Sequence, residues 1–133
     1  MLIDYCERKI KNYFEMWITN DFSDLNGIFA TNSTYQEANG SCYISLTEIE
    51  QWINSKKNTQ TILKLDIKDI WPSIESTFFV IWNVTVRDSC LRNYDGVSMI
   101  KFDEDFLICS IKEYQGNSKY DFPYHYKMEE KNV

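Results

Sequence analysis

The chain has 133 residues, of which 44% are hydrophobic and 16% aromatic, and a formal net charge of −6. That length suits one domain able to bury a real core, and the apolar content excludes a disordered chain. No basic cluster longer than Lys56-Lys57 occurs, which argues against nucleic-acid binding, and no run approaches the ~18 apolar residues of a membrane span.

Charges are interleaved from Asp4 onward, unlike the apolar centre of a signal peptide, so the expected location is the cytoplasm. Cys6, Cys42, Cys90 and Cys109 are widely spaced with no C-x-x-C pair, and reduced thiols are expected. The single histidine, His125, lies in a polar stretch near the C-terminus. Neither a metal site nor a histidine relay is expected from so few ligands. Glycine-rich phosphate loops are absent, and no cofactor is expected.

Residues 3–19 read as an amphipathic helix, with Ile3, Cys6, Ile10, Tyr13, Phe14 and Trp17 at helical spacing. Asn20-Asp21 breaks it, and Asp21 is positioned to cap a short second helix with Leu25, Ile28 and Phe29 on its inner side. Thr34 to Ala38 is a strand ending in the Asn39-Gly40 turn. Ser45-Leu46-Thr47-Glu48 forms a capping box that opens a third helix carrying Leu46, Ile49, Trp52 and Ile53. Polar residues 54–60 read as a loop.

Beyond residue 60 the apolar period changes from helical to two. Ile62 to Trp71 alternates, with Leu63, Leu65, Ile67, Ile70 and Trp71 as its apolar set. Thr77 to Arg87 follows the Pro72-Ser73 turn and sets Val80, Trp82, Val84 and Val86 on one face. Tyr94 to Phe102 and Phe106 to Tyr114 form a hairpin across Asp103-Glu104-Asp105. The domain spans residues 1–124, and 125–133 form a polar C-terminal tail. Helices first and strands afterwards predict an α+β fold, with three N-terminal helices on one face of a curved, mainly antiparallel sheet. Such a layer leaves a hollow where a ligand can lie. Its other face would expose apolar residues such as Phe79 and Ile81, or their neighbours of opposite parity, so a homodimer is expected.

The fragments YQEANG (35–40), LTEIEQW (46–52), YDGVSMIKFDEDFLICSIKEYQ (94–115) and FPY (122–124) follow one another in order. Together they resemble the nuclear transport factor 2-like superfamily, over roughly residues 3–124. The closest look is to small bacterial members without assigned activity. The resemblance implies a cone-shaped fold, and it leaves the chemistry open, because that superfamily hosts enzymes, adaptors and binding domains. The steroid isomerases among its members use a helix-1 tyrosine, a first-strand carboxylate and a protonated acid from a later strand. Matched to that pattern, Tyr13 takes the tyrosine position and Glu37 that of the base. The third position falls on or near Ser98, where this chain has no acid.

The candidate catalytic residues are therefore Glu37, Tyr13 and Ser98. Glu37 is open to three roles: general base, ligand anchor, or structural acid paired with a donor. The candidate ligand-binding residues are Trp17, Tyr35, Trp52, Trp82 and Glu113. Each aromatic one is equally readable as core. Glu113 shares strand parity with Leu107, Cys109 and Ile111, and an acid on an apolar face needs a partner or a pocket. The expected function is binding of a small molecule. The alternatives are a cofactor-independent isomerase or lyase with Glu37 as base, and a dimerisation or protein-interaction module.

Overall fold

The computed structural model describes residues 2–125. Of the expected polar tail, everything after His125 lies outside the described residues. Two α-helices and a six-stranded sheet make up the domain. They are α1 (Leu2–Thr19), α2 (Leu46–Thr59), β1 (Phe29–Gln36), β2 (Cys42–Ile44), β3 (Thr61–Pro72), β4 (Thr77–Arg87), β5 (Leu91–Phe102) and β6 (Ile108–Asn117). The strand order is β2-β1-β6-β5-β4-β3. Only the β1–β6 pair is parallel.

α1 forms as its periodicity predicts. It buries Cys6, Ile10, Tyr13, Phe14 and Met16, and it ends where Asn20 turns left-handed at φ 61°. The expected second helix is a correction: only a single 3₁₀ turn, Leu25–Gly27, occurs there. The Asp21 carboxylate accepts the Ser23 N–H at 3.0 Å in a local turn and caps no helix. Phe29, assigned from the sequence to that helix, instead opens β1 opposite Ile108. β1 accordingly begins well before Thr34 and stops at Gln36.

Ser45 caps α2 as expected, its hydroxyl accepting the Glu48 N–H at 3.4 Å. The return bond differs from the usual box, because Glu48 Oε1 accepts from Ile44 N–H at 2.9 Å. The Ser45 N–H is already committed to the Ser33 carbonyl at 2.8 Å. α2 then continues to Thr59, so the expected loop over 54–60 is corrected. Its polar residues form the solvent side of the last helical turns.

Two bulges interrupt the β3–β4 register, between Ile62 and Lys64 and between Ile67 and Asp69. Each shifts the side-chain alternation by one residue. Ile62, Leu65, Ile67 and Ile70 therefore lie opposite the inward row Val86, Val84, Trp82 and Val80. Leu63, expected on the same face, and Trp71, whose face the sequence leaves open, are 45% and 58% exposed. Bulges also bend a strand, and the curved sheet lies under α1 at its β3 end and under α2 at its β1–β2 end.

On the concave face, Trp82 pairs with Gly96 across β4 and β5. A Cβ built on Gly96 would lie 2.1 Å from Cζ2 of the indole, so the ring can lie flat over β5 only because position 96 has no side chain. The indole N–H then reaches past it to Ser98 Oγ at 3.0 Å. Gly96→Ala is expected to lower stability by about 1–3 kcal/mol through overpacking, measured by urea unfolding. The Gly96→Ala/Trp82→Leu double variant should lose less than the two single changes summed. An unchanged unfolding midpoint in Gly96→Ala would contradict this packing.

Candidate functional site

A cavity of about 570 Å³ lies between the two helices and the concave sheet face. Its wall follows from the elements just described. α1 supplies Tyr13, Phe14 and Trp17, α2 supplies Trp52 and Lys56, and the strands supply Tyr35, Trp82, Tyr94 and Glu113. Ile62, Leu65 and Val84 complete an apolar side. Trp52 is the hub of the aromatic wall. Its ring centroid lies 4.5 Å from Tyr35, 5.5 Å from Trp17 and 5.2 Å from Tyr43, the last pair stacked at 19°. Contacts of this kind stiffen the wall beyond what area burial alone provides.

Glu113 stands on β6 directly opposite Ser98 on β5. The face assigned to it from the sequence needs correction. Phe102 pairs with Ile108 and Lys101 with Ser110, so Cys109 is an extra residue. Glu113 therefore shares its inward face with Ile111 and, across the bulge, with Ile108, and not with Cys109. Some of its surface is still accessible, and the cavity it lines is where that surface opens.

Burial raises the Glu113 pKa from 4.5 to about 7, and the Glu37 charge acts in the same direction. Hydrogen bonding from the Tyr35 and Ser98 hydroxyls opposes the shift, and the Lys56 charge opposes it weakly. Between those two values the folded protein keeps a proton that the unfolded chain has released. The carboxyl is thus tolerated at acid pH, and the stability kept there is lost as the pH rises through about 7.

Glu37 lies one residue beyond β1, not inside a strand. Its N–H donates to the Ser41 carbonyl at 2.8 Å and its carbonyl accepts from Gly40 N–H at 3.0 Å, a tight turn that Gly40 closes at φ 95°. This turn folds Tyr43 back onto it, and the Tyr43 hydroxyl donates to Glu37 Oε2 at 2.7 Å. Lys56 Nζ lies 3.9 Å from the other oxygen. Continuing the Tyr35–Ile111 and Gln36–Lys112 register brings Glu37 level with Glu113. The two carboxylates therefore sit on neighbouring segments, both line the cavity, and the Glu37 charge acts on Glu113.

Tyr13 is 3% exposed, and its hydroxyl has no hydrogen-bond partner of ordinary geometry. Burial and the Glu113 charge raise its pKa, while the Tyr35 and Trp17 polar groups are near enough to act against that. Tyr35 is driven up in the same way, by burial first and by Glu113 second. Ser98 is 2% exposed and does not reach the cavity surface. It lies behind the wall, accepting from Trp82 and bordering Glu113. Trp17, Tyr35, Trp52 and Trp82 all line the cavity.

The sequence reading passed over Tyr43, Lys56, Arg92 and Tyr94. Lys56 follows Ile49 and Trp52 at helical spacing, so one more turn of α2 would have found it. Tyr43 follows from the Asn39-Gly40 hairpin, which pairs Tyr35 with Tyr43. Arg92 stacks over Tyr94, 5.5 Å from the ring centroid, at the start of β5, where the sequence carries no alternating pattern. Among the described residues, no group of three or more His, Cys, Asp and Glu residues could hold a metal ion. No described helix is long and apolar enough to cross a membrane.

No family model matches the sequence, and no characterised protein matches it by sequence. Solved structures do. A hypothetical protein of ketosteroid isomerase-like fold from Catenulispora acidiphila, crystallised with trimethylamine, aligns with TM-score 0.70 at 13% identity, over 80% of this chain and 83% of its own. An NTF-2 like protein of unknown function from Burkholderia xenovorans aligns with TM-score 0.77 at 8% identity, over 96% and 94%. A steroid delta-isomerase from Pseudomonas aeruginosa aligns with TM-score 0.67 at 13% identity, over 85% and 80%. The chain has the fold of the nuclear transport factor 2-like superfamily.

Proposed function

We propose that the protein is a small-molecule-binding domain whose ligand lies in the cavity between α1, α2 and the concave sheet face. The observation that carries this reading is an aromatic-walled cavity of about 570 Å³ with one buried, protonatable carboxyl, Glu113, on its wall. Ligand sites combine this kind of volume and apolar wall with a few polar groups that fix orientation. In this reading Trp17, Tyr35, Trp52 and Trp82 supply contact area, and Glu113 supplies the polar handle. Glu37 anchors the rim, held in place by Tyr43 and Lys56.

A second reading, a cofactor-independent isomerase or lyase, is favoured by one specific observation. The isomerase pattern wants a protonated acid at the position of Ser98, and Glu113 is its direct cross-strand neighbour. With its pKa near 7 it can keep a proton at neutral pH and donate it to a developing enolate oxygen. Glu37 would then be the base.

Native mass spectrometry of protein purified from its own cells is expected to find a small molecule, lost on denaturation. The apo mass alone, with no shift of tryptophan fluorescence across a diverse panel of small molecules, would contradict the binding reading. If the enzymatic reading holds, Glu37→Gln keeps binding and loses turnover by ~10²–10⁴-fold, because the amide cannot take a proton. Under the anchoring reading the same change weakens binding, and the parent has no turnover to lose.

A homodimer through the outer sheet face belongs to the same proposal. Trp71, Phe79 and Met99 pair across β3, β4 and β5 there, and Trp71 and Phe79 are 58% and 37% exposed. The neighbouring half of the face carries a polar ladder, with the Asn83 side chain donating to Asp95 at 2.9 Å and Asn93 donating back to Asn83 at 3.0 Å. Sedimentation at micromolar protein should give twice the chain mass, and a monomer unaffected by Trp71→Lys would contradict the dimer.

A further inference from the structure

We infer that the cavity takes a small organic cation, an amine or quaternary ammonium whose charge lies between the Glu113 carboxylate and the ring faces of the aromatic wall. This rests on the reading of the cavity as a ligand site and adds the chemical class of the ligand.

Both cations at the cavity already have carboxylates of their own: Lys56 lies 3.9 Å from Glu37, and Arg92 lies 2.7 Å from Asp88. Arg92 is also drawn over the Tyr94 ring. Among the described residues, Glu113 has no lysine, arginine or histidine within ion-pair reach. The Tyr35 and Ser98 hydroxyls are near enough to lower its pKa, and Lys56 acts on it more weakly, at a distance. A buried carboxylate needs a countercharge or must stay neutral. The space beside this one is empty volume walled by Trp17, Trp82 and Tyr35, and aromatic faces attract cations most strongly where water is excluded.

The competing class is a neutral ligand offering an acceptor oxygen. The Tyr13 hydroxyl and Trp52 Nε1 are buried in protein and almost without accessible surface, so such a ligand would have to use Tyr94, the Asn39, Gln60 or Gln115 amides, or protonated Glu113 itself. At about 570 Å³ the cavity exceeds a trimethylammonium head. The ligand therefore has a further apolar body, directed toward Ile62, Leu65 and Val84.

Binding of such a cation is linked to protons. Tyr13 from α1, Lys56 from α2, Tyr35 and Glu37 from β1 and its hairpin, Tyr94 and Arg92 from β5 and Tyr114 from β6 are the other titratable or charged groups of the cavity, and Ser98 lies opposite Glu113 on β5. From β3 and β4 the cavity receives no titratable side chain. Tyr13, Tyr35 and Tyr94 are all raised above the ordinary tyrosine value, so they stay neutral through the neutral range. A cation favours ionised Glu113, so it binds with release of a proton near neutrality and more tightly as the pH rises. A neutral acceptor would need the protonated acid and would show the opposite sign.

The test is calorimetry with choline and its uncharged carbon isostere, dimethylbutanol, at about pH 6 and about pH 8, in buffers of different ionisation enthalpy. Choline should bind about tenfold more tightly than the isostere at the higher pH. It should release a proton between the two pH values and weaken about tenfold at the lower one, where Glu113 is mostly protonated. Glu113→Gln should abolish the preference for choline. The proton count on the unaltered protein decides the matter if that variant does not fold. An isostere that binds as tightly as choline with no proton release overturns the cation class and leaves the cavity reading standing. If neither probe binds at millimolar concentration, the inference falls, and the co-purification experiment separately decides the cavity reading.

Discussion

Taking a charged carboxyl out of water costs several kcal/mol unless a cation or hydrogen-bond donors replace the lost hydration. At Glu113 that cost is met in part, by two hydroxyls and a proton, and the surrounding structure is arranged about the shortfall. Tyr35 reaches it from β1 and Ser98 from β5, the strands on either side of β6. Ser98 is itself oriented by the Trp82 N–H, which leaves its own proton free to donate toward the acid. The chain of support runs Trp82, Ser98, Glu113, Tyr35, and every member but Ser98 also lines the cavity. Packing and electrostatics are therefore coupled at this point. A change that moves the indole also changes what the carboxyl can accept.

The hollow beside that acid has a structural cause in the strands. Two bulges in β3 and one in β6 change side-chain parity and bend the sheet. Without the β6 bulge, Ile108 and Ile111 could not both point inward, and Glu113 would fall in step with Cys109. Gly96 lets the Trp82 ring lie against β5 instead of standing across the cavity. The core proper, with Phe29, Ile10, Ile49, Ile100 and Ile108 almost fully buried, lies outside the cavity lining. Tyr13, Trp17, Tyr35, Trp52 and Trp82 line the cavity instead.

Much of this was legible in the sequence, and the failures share a cause. α1, the Ser45 cap, β4 and the β5–β6 hairpin were readable because each rests on local periodicity or on a cap. The α+β order and the aromatic wall followed from them. The 3₁₀ turn taken for a helix, the helical turns taken for a loop over 54–60, and the inward placement of Leu63 were misread because tertiary pairing decided them. Phe29 is drawn into the sheet by Ile108, and the β3 bulges are fixed only against β4. Glu37 was visible as an acid in a short strand before a glycine turn, and Glu113 as an acid on an apolar face. Their proximity was not, because it depends on a parallel pairing between the first and last long strands of the domain. Lys56 and Tyr43, which hold Glu37, were hidden by the same misread loop and by an unweighed hairpin.

The ionisation of Glu113 in the folded protein is the property on which the site most directly stands or falls. Carbon NMR of protein labelled at the glutamate side-chain carboxyls, with the resonance assigned by its loss in Glu113→Gln, follows this one group through its titration. A buried carboxyl without a cation partner predicts a midpoint near 7, far above the ordinary glutamate value of 4.5. A midpoint at the ordinary value would mean that the carboxyl is solvated or already paired with a cation, and would contradict a cavity built around an uncompensated acid.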